Sequence, residues 1–137
     1  FSLKKGDLVI CEGGEPGRCA VWKNDTIRMM IQKALHRVRV SGNVDVRYVY
    51  YYFTYSNLTG NLTKYFTGTT IKHLTGKELR KIQLPIPELI EQQQIVQEIE
   101  SRLSVADKME ESITQSLQQA EALRQSILKK AFEGHLI

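Results

Sequence analysis

No run of apolar residues approaches the ~18 needed to cross a bilayer, and Phe1 is not followed by the basic, apolar, then small-residue order of a secretory leader. The expectation is a cytoplasmic chain that does not engage a membrane. Cysteine is scarce: Cys11 and Cys19 lie eight positions apart without a nearby histidine, which fits neither a C-x2-C zinc spacing nor a disulfide framework. Buried reduced thiols are expected instead. No two of the three prolines are adjacent, so the Asx-Pro-Pro-aromatic loop of amino-methyltransferases is missing. No Asp or Glu is followed two places later by lysine, which removes a common nuclease metal pair. The cluster GGEPGRC lacks the lysine and hydroxyl of a phosphate loop and reads as a turn. His36, His73 and His135 are far apart and show neither metal-site nor triad spacing. The sequence therefore offers no catalytic, cofactor-binding or metal-ligating residue, and no cofactor is expected in this chain.

What is present is a 137-residue chain, 42% hydrophobic, which is enough for one globular unit with a modest core. Its net charge of +4 conceals an asymmetry. Residues 1 to 86 hold 14 Lys/Arg against 6 Asp/Glu, a net of +8, and residues 87 to 137 hold 5 against 9, a net of −4. A basic globular part suits a polyanion, and an acidic continuation suits something else.

The coarse elements predict an α+β fold: a mixed sheet-and-helix domain over residues 1 to 84 and a helical arm over 85 to 137. Leu8 to Cys11 reads as a strand after a Gly6-Asp7 turn, CAVW (19 to 22) as a second strand, and QKALHRVRV (32 to 40) as a third. In that third strand Ala34, His36, Val38 and Val40 alternate with Lys33, Leu35, Arg37 and Arg39, so three cations share one side. Over residues 45 to 58 valine and tyrosine favour strand. Even so, Val46, Val49, Tyr50 and Phe53 fall at helical spacing behind Asp45, a cap residue, so a helix is expected. Thr75 and Glu78 fit a capping box opening a short helix to about Lys81, and IQLPIP leads out extended.

Pro87 is the expected first residue of a long helix, with Lys129, Lys130 and Gly134 supplying its end. Such a helix reaches roughly 69 Å at 1.5 Å per residue, whereas a domain of some 85 residues has a radius of gyration of about 12 Å. Its apolar stripe is a heptad: Ile99, Ala106, Ile113, Ala120 and Ile127 occupy d positions, with Leu103, Leu117 and Ala131 at a positions shared with Glu110 and Arg124. A parallel self-pair would set Glu110 against Glu110. An antiparallel pair crossing near Leu117 brings each Glu110 within about one turn of the other helix's Arg124, so antiparallel pairing is favoured. A helix packed in a bundle is the alternative reading of the stripe.

The nucleic-acid reading rests on Lys23, Arg28, Lys33, Arg37, Arg39, Lys64, Lys72 and Lys77, interleaved with Thr69, Thr70 and several tyrosines. Lysine and arginine meet phosphates and guanine edges, threonine meets phosphates or base edges, and His36 and His73 can donate hydrogen bonds. The opposing reading is a solvated charged face. Tyr50 and Tyr65 are expected in the core rather than as stacking platforms.

Five segments in order, GDLVICEGGEPGRCAVW, QKALHRVRV, YVYYYF, GTTIKHLTGKELRKIQLPIPELIEQQQIV and LRQSILKKAFEGHL, resemble the specificity subunit of type I restriction-modification enzymes. The resemblance implies a non-catalytic subunit whose recognition domains each read one half of a split double-stranded DNA target, with long antiparallel helices setting the gap. It also implies partners: methyltransferase (modification) subunits using S-adenosylmethionine, and restriction subunits using ATP and Mg. The family's intact subunit has two recognition domains and two helices. This chain has one of each and resembles a carboxy-terminal half, whose helix would pair with a second recognition half or another copy. A coiled-coil adaptor whose basic domain binds a protein is the rival reading.

Overall fold

The computed structural model describes residues 2–26 and 29–135. It has the expected α+β class, with strands β1 (Leu8–Cys11), β2 (Cys19–Val21) and β3 (Leu35–Val38) followed by helices α1 (Val46–Leu58), α2 (Gly76–Leu79) and α3 (Leu89–Phe132). A single 3-10 turn, Thr63–Tyr65, lies between α1 and α2. The chain divides into two units, Phe1–Val96 and Gln97–Ile137, so the first two turns of α3 count with the head.

The sheet is antiparallel in the order β2-β1-β3. Leu8 faces Val21 and Val38, and Ile10 faces Cys19 and His36. Residues directly opposite share a face, so these six side chains form the inner layer. Leu8 and Ile10 are fully buried and cluster with Val49 and Phe53 of α1, Leu62 and Leu74. The third strand is shorter than the expected 32 to 40. β1 supplies only four partners before the Gly6-Asp7 turn, and pairing stops with them.

Periodicity prevails over propensity in α1. Asp45 caps it, its carboxylate accepting from Arg47 N at 2.8 Å, and Val49 and Phe53 reach the core one turn apart. Cys19 Sγ lies 3.9 Å from Tyr50 O, and burial pushes this thiol up to about 11. Both cysteines are free, as their spacing led one to expect, but half-buried rather than buried. Tyr50 and Tyr65 also pack against the core. Thr75 caps α2, its hydroxyl accepting from Glu78 N at 3.4 Å.

The approach to α3 is held by α1. Tyr48 and Tyr52, one turn apart, donate their hydroxyls to Pro85 O at 2.9 Å and Gln83 O at 3.2 Å, which fixes the extended run after Ile82. The helix itself starts at Leu89, two residues later than expected. Its first backbone bond runs from Gln92 N to Glu88 O, while the Pro87 carbonyl is taken by the Gln92 side-chain amide at 2.8 Å. That same amide donates to Asn43 O at 2.9 Å and accepts from Asp45 N at 2.9 Å, with Gln92 wholly buried. The other end follows expectation: Gly134 takes a φ of 75° and His135 N closes onto Lys130 O at 2.8 Å. The 44 residues between make one unbroken helix of about 66 Å.

Replacing Gln92 with leucine keeps the volume but orphans the Asp45 N–H and two carbonyls. The expected cost is about 2–3 kcal/mol, against less than about 0.5 for the exposed neighbour Gln93→Leu. The urea midpoint of Trp22 fluorescence, the single tryptophan, reads both.

Candidate nucleic-acid interface

The cations assigned from sequence fall into two groups. Lys23, Lys33 and Lys77 are exposed and have no ionic or hydrogen-bonding partner among the described residues. Arg37 and Arg39 have internal duties. Arg37 lies on the outer sheet face opposite Val9 and donates from Nη1 to Ser2 O at 2.9 Å. Arg39 grips both oxygens of Asp7 at 2.6 Å each. Asp7 is only 1% exposed, and the Arg39 guanidinium beside it holds its carboxyl below the usual carboxylate range. Arg39 thus neutralises a buried charge, though its side chain remains 41% exposed. Arg28 lies outside the described residues.

Two histidines act within the head. His36, on the inner sheet face, donates from Nε2 to Leu74 O at 2.7 Å and stands 3.5 Å from Glu12 Oε2. Glu12 is 24 places away in sequence, so no local spacing could have disclosed this contact. His73 is half-buried, with its ring over Gly13, where an added Cβ would come within 3.0 Å of Nδ1. No group of three or more His, Cys, Asp or Glu able to hold a metal ion occurs among the described residues.

Four assigned residues come together on one exposed segment. Thr69, Thr70, Lys72 and His73 lie in a loop whose ends are joined by the Thr67 and His73 backbones at 2.8 and 2.9 Å. Thr69 and Thr70 point no bond inward, while Lys72 Nζ reaches back to Gly68 O at 2.7 Å. Lys64, before this loop, is exposed and sits 5.2 Å from the centre of the Tyr65 ring. Lys23 and Lys33 stand on other connections, so the assigned set is not one contiguous patch in the chain.

The arm's seam is bare. Ile99 is half-buried, whereas Leu103, Ala106, Glu110, Ile113, Leu117, Ala120, Arg124 and Ile127 are all exposed, as is every described residue from 101 to 135. Carried back toward the head, the heptad places Gln92 at d and Val96 at a, and both are 0% exposed. Sequence reasoning missed Gln92, because a glutamine in a glutamine-rich run reads as solvated; the signal available was its heptad position. No described helix is long and apolar enough to cross a membrane.

A small basic α+β domain running into a long helix with an uncovered heptad seam defines the class of a recognition head with a coiled-coil arm. Residues 1–121 match the type I restriction modification DNA specificity domain, and the chain belongs to that family. It is 27% identical over 98% of its length to the Type I restriction enzyme EcoBI specificity subunit of Escherichia coli, covering 28% of that protein. It is also 30% identical over 74% of its length to the EcoKI specificity subunit of Escherichia coli strain K12, covering 22% of it. The chain therefore spans less than a third of the curated relatives it matches. A solved structure concerned with complex assembly and conformational transition of the type I R-M system contains a similar chain, with a TM-score of 0.82 and 25% identity over 98% of this chain and 32% of that one.

The Asp7 carboxylate gives a pH test. Its lowered pKa means that the ion pair contributes stability above the ordinary carboxylate range, about 3.9, and that this is lost as pH falls through the folded-state value. Asp7→Asn should melt lower than the parent at pH 7. The gap between the two should close as pH drops below about 4, as thermal melts in a pH series would record.

Proposed function

We propose that this chain is the sequence-reading part of a type I restriction-modification specificity subunit, recognising one half of a bipartite double-stranded DNA target. It performs no chemistry. It docks modification subunits, which methylate with S-adenosylmethionine, and restriction subunits, which use ATP and Mg, and it works in the cytoplasm. The observation that carries this reading is the family match, which runs through the head and along most of the arm. The +8 charge of residues 1 to 86 and the polar loop around Thr69 and Thr70 support it.

In this reading Lys23, Lys33, Lys64 and Lys72 anchor phosphates, with Lys77 beside them, while Thr69, Thr70 and His73 face the bases or adjoining backbone. Arg37 and Arg39 act less directly, since both are held by partners in the head, and offer their remaining N–H groups to a phosphate. The arm positions the head by pairing antiparallel with a second recognition half or another copy. Its bare seam supports this role, because an exposed row of Leu and Ile gains by being covered.

Two measurements test the reading. With about five cations on phosphate, log K for duplex DNA should fall against log salt with a slope near about −4.5, and a slope close to zero would remove the electrostatic component. For the arm, Glu110→Arg should weaken self-association in sedimentation equilibrium, and adding Arg124→Glu should restore it. Absence of rescue would point to another helix geometry.

A further inference from the structure

The loop carrying Thr69 and Thr70 is built to hold its tip still. Beyond the paired Thr67 and His73 backbones, Thr67 Oγ1 donates to His73 O at 3.3 Å and Lys72 Nζ donates to Gly68 O at 2.7 Å. Gly68 sits at φ +94°, and a Cβ there would lie 2.2 Å from Ile71 O, so only glycine permits this close crossing. The root is equally fixed. Leu74 is fully buried, its N–H bonds to Glu12 O at 2.7 Å, and its carbonyl accepts from His36.

At the tip of this braced loop stands Ile71, 64% exposed, with no role in the core that Leu74 enters three residues on. A single exposed apolar residue is ordinary on a protein surface. Here it is β-branched, with little rotamer freedom to lose, on a backbone already ordered, preceded by two threonines and followed by Lys72 on a strongly basic head. A contact made by such a side chain forfeits little entropy. In the DNA major groove the apolar feature that distinguishes one base is the thymine C5-methyl group, set among acceptors that hydroxyls can meet.

We infer that Ile71 reads a thymine of the target through its C5-methyl group, with Thr69 and Thr70 seated beside it in the major groove. This rests on the duplex-DNA reading above and adds a base and a residue to it.

The test begins with the 137-residue chain and a randomised duplex library, from which the preferred duplex is selected. Each thymine of that duplex is then replaced in turn by deoxyuridine, which removes only the methyl group. At one position the wild type should lose about fourfold in affinity. Ile71→Ala should lose about as much on the thymine duplex and nothing further on the deoxyuridine duplex. Its salt slope and melting temperature should stay unchanged. Gly68→Ala, which displaces the tip, should behave like Ile71→Ala. If Ile71→Ala shows the wild-type thymine-to-deoxyuridine ratio at every position, or if binding occurs without any preferred duplex, the inference is overturned while the DNA reading stands. An Ile71 that wedges between base steps would kink the duplex without methyl dependence, and that outcome also overturns it. Absence of salt-dependent duplex binding would instead overturn the function proposed above.

Discussion

One buried amide links the head to the start of its long helix. Gln92 satisfies the N–H of Asp45, which itself caps α1, together with the carbonyls of Asn43 and Pro87. Two segments distant in sequence, the entry to α1 and the entry to α3, thereby converge on a single side chain. A buried glutamine is costly unless its donors and acceptor are all engaged, and in that state it admits few alternative arrangements. The two tyrosine hydroxyls on α1 reinforce it by holding the chain just upstream. The base of the arm is thus tied to the same helix that packs over the sheet.

Electrostatics in the head serve two purposes that composition cannot separate. Some cations hold the fold: Arg39 neutralises a carboxylate that has almost no solvent, and Arg37 bonds a backbone carbonyl across the sheet's outer face. Others, such as Lys23 and Lys33, are free to meet a polyanion. The net excess already counts Asp7 against Arg39, so what the internal contacts reduce is the number of cations able to reach a ligand directly, not the net charge of the head.

The sequence made the large features readable. Helical spacing at Val46, Val49, Tyr50 and Phe53 located α1 against its own strand propensity, and the heptad with its glycine stop located α3 almost to the residue. The ordered segments led to the family, which the match over residues 1–121 established. What escaped were contacts made at long range. The Asp7 to Arg39 pair, the His36 to Leu74 bond and the Gln92 amide each join residues more than thirty places apart. Side chains of this kind carry no periodic signature. The brace around Ile71 was equally hidden, because Gly68 reveals its purpose only where Ile71 O passes beneath it.

The seam's covered and uncovered parts are in phase, since Gln92 and Val96 occupy the same heptad series as Ile99 and Leu103. Adding or deleting seven residues within α3 shifts whatever lies beyond by about 10.5 Å and turns it by only ~20°. A change of four turns it by about 40°, and a change of three by about 60° the other way. Azimuth as well as length is thereby quantised along this rod, and whole heptads are the increments by which it can be resized without re-aiming.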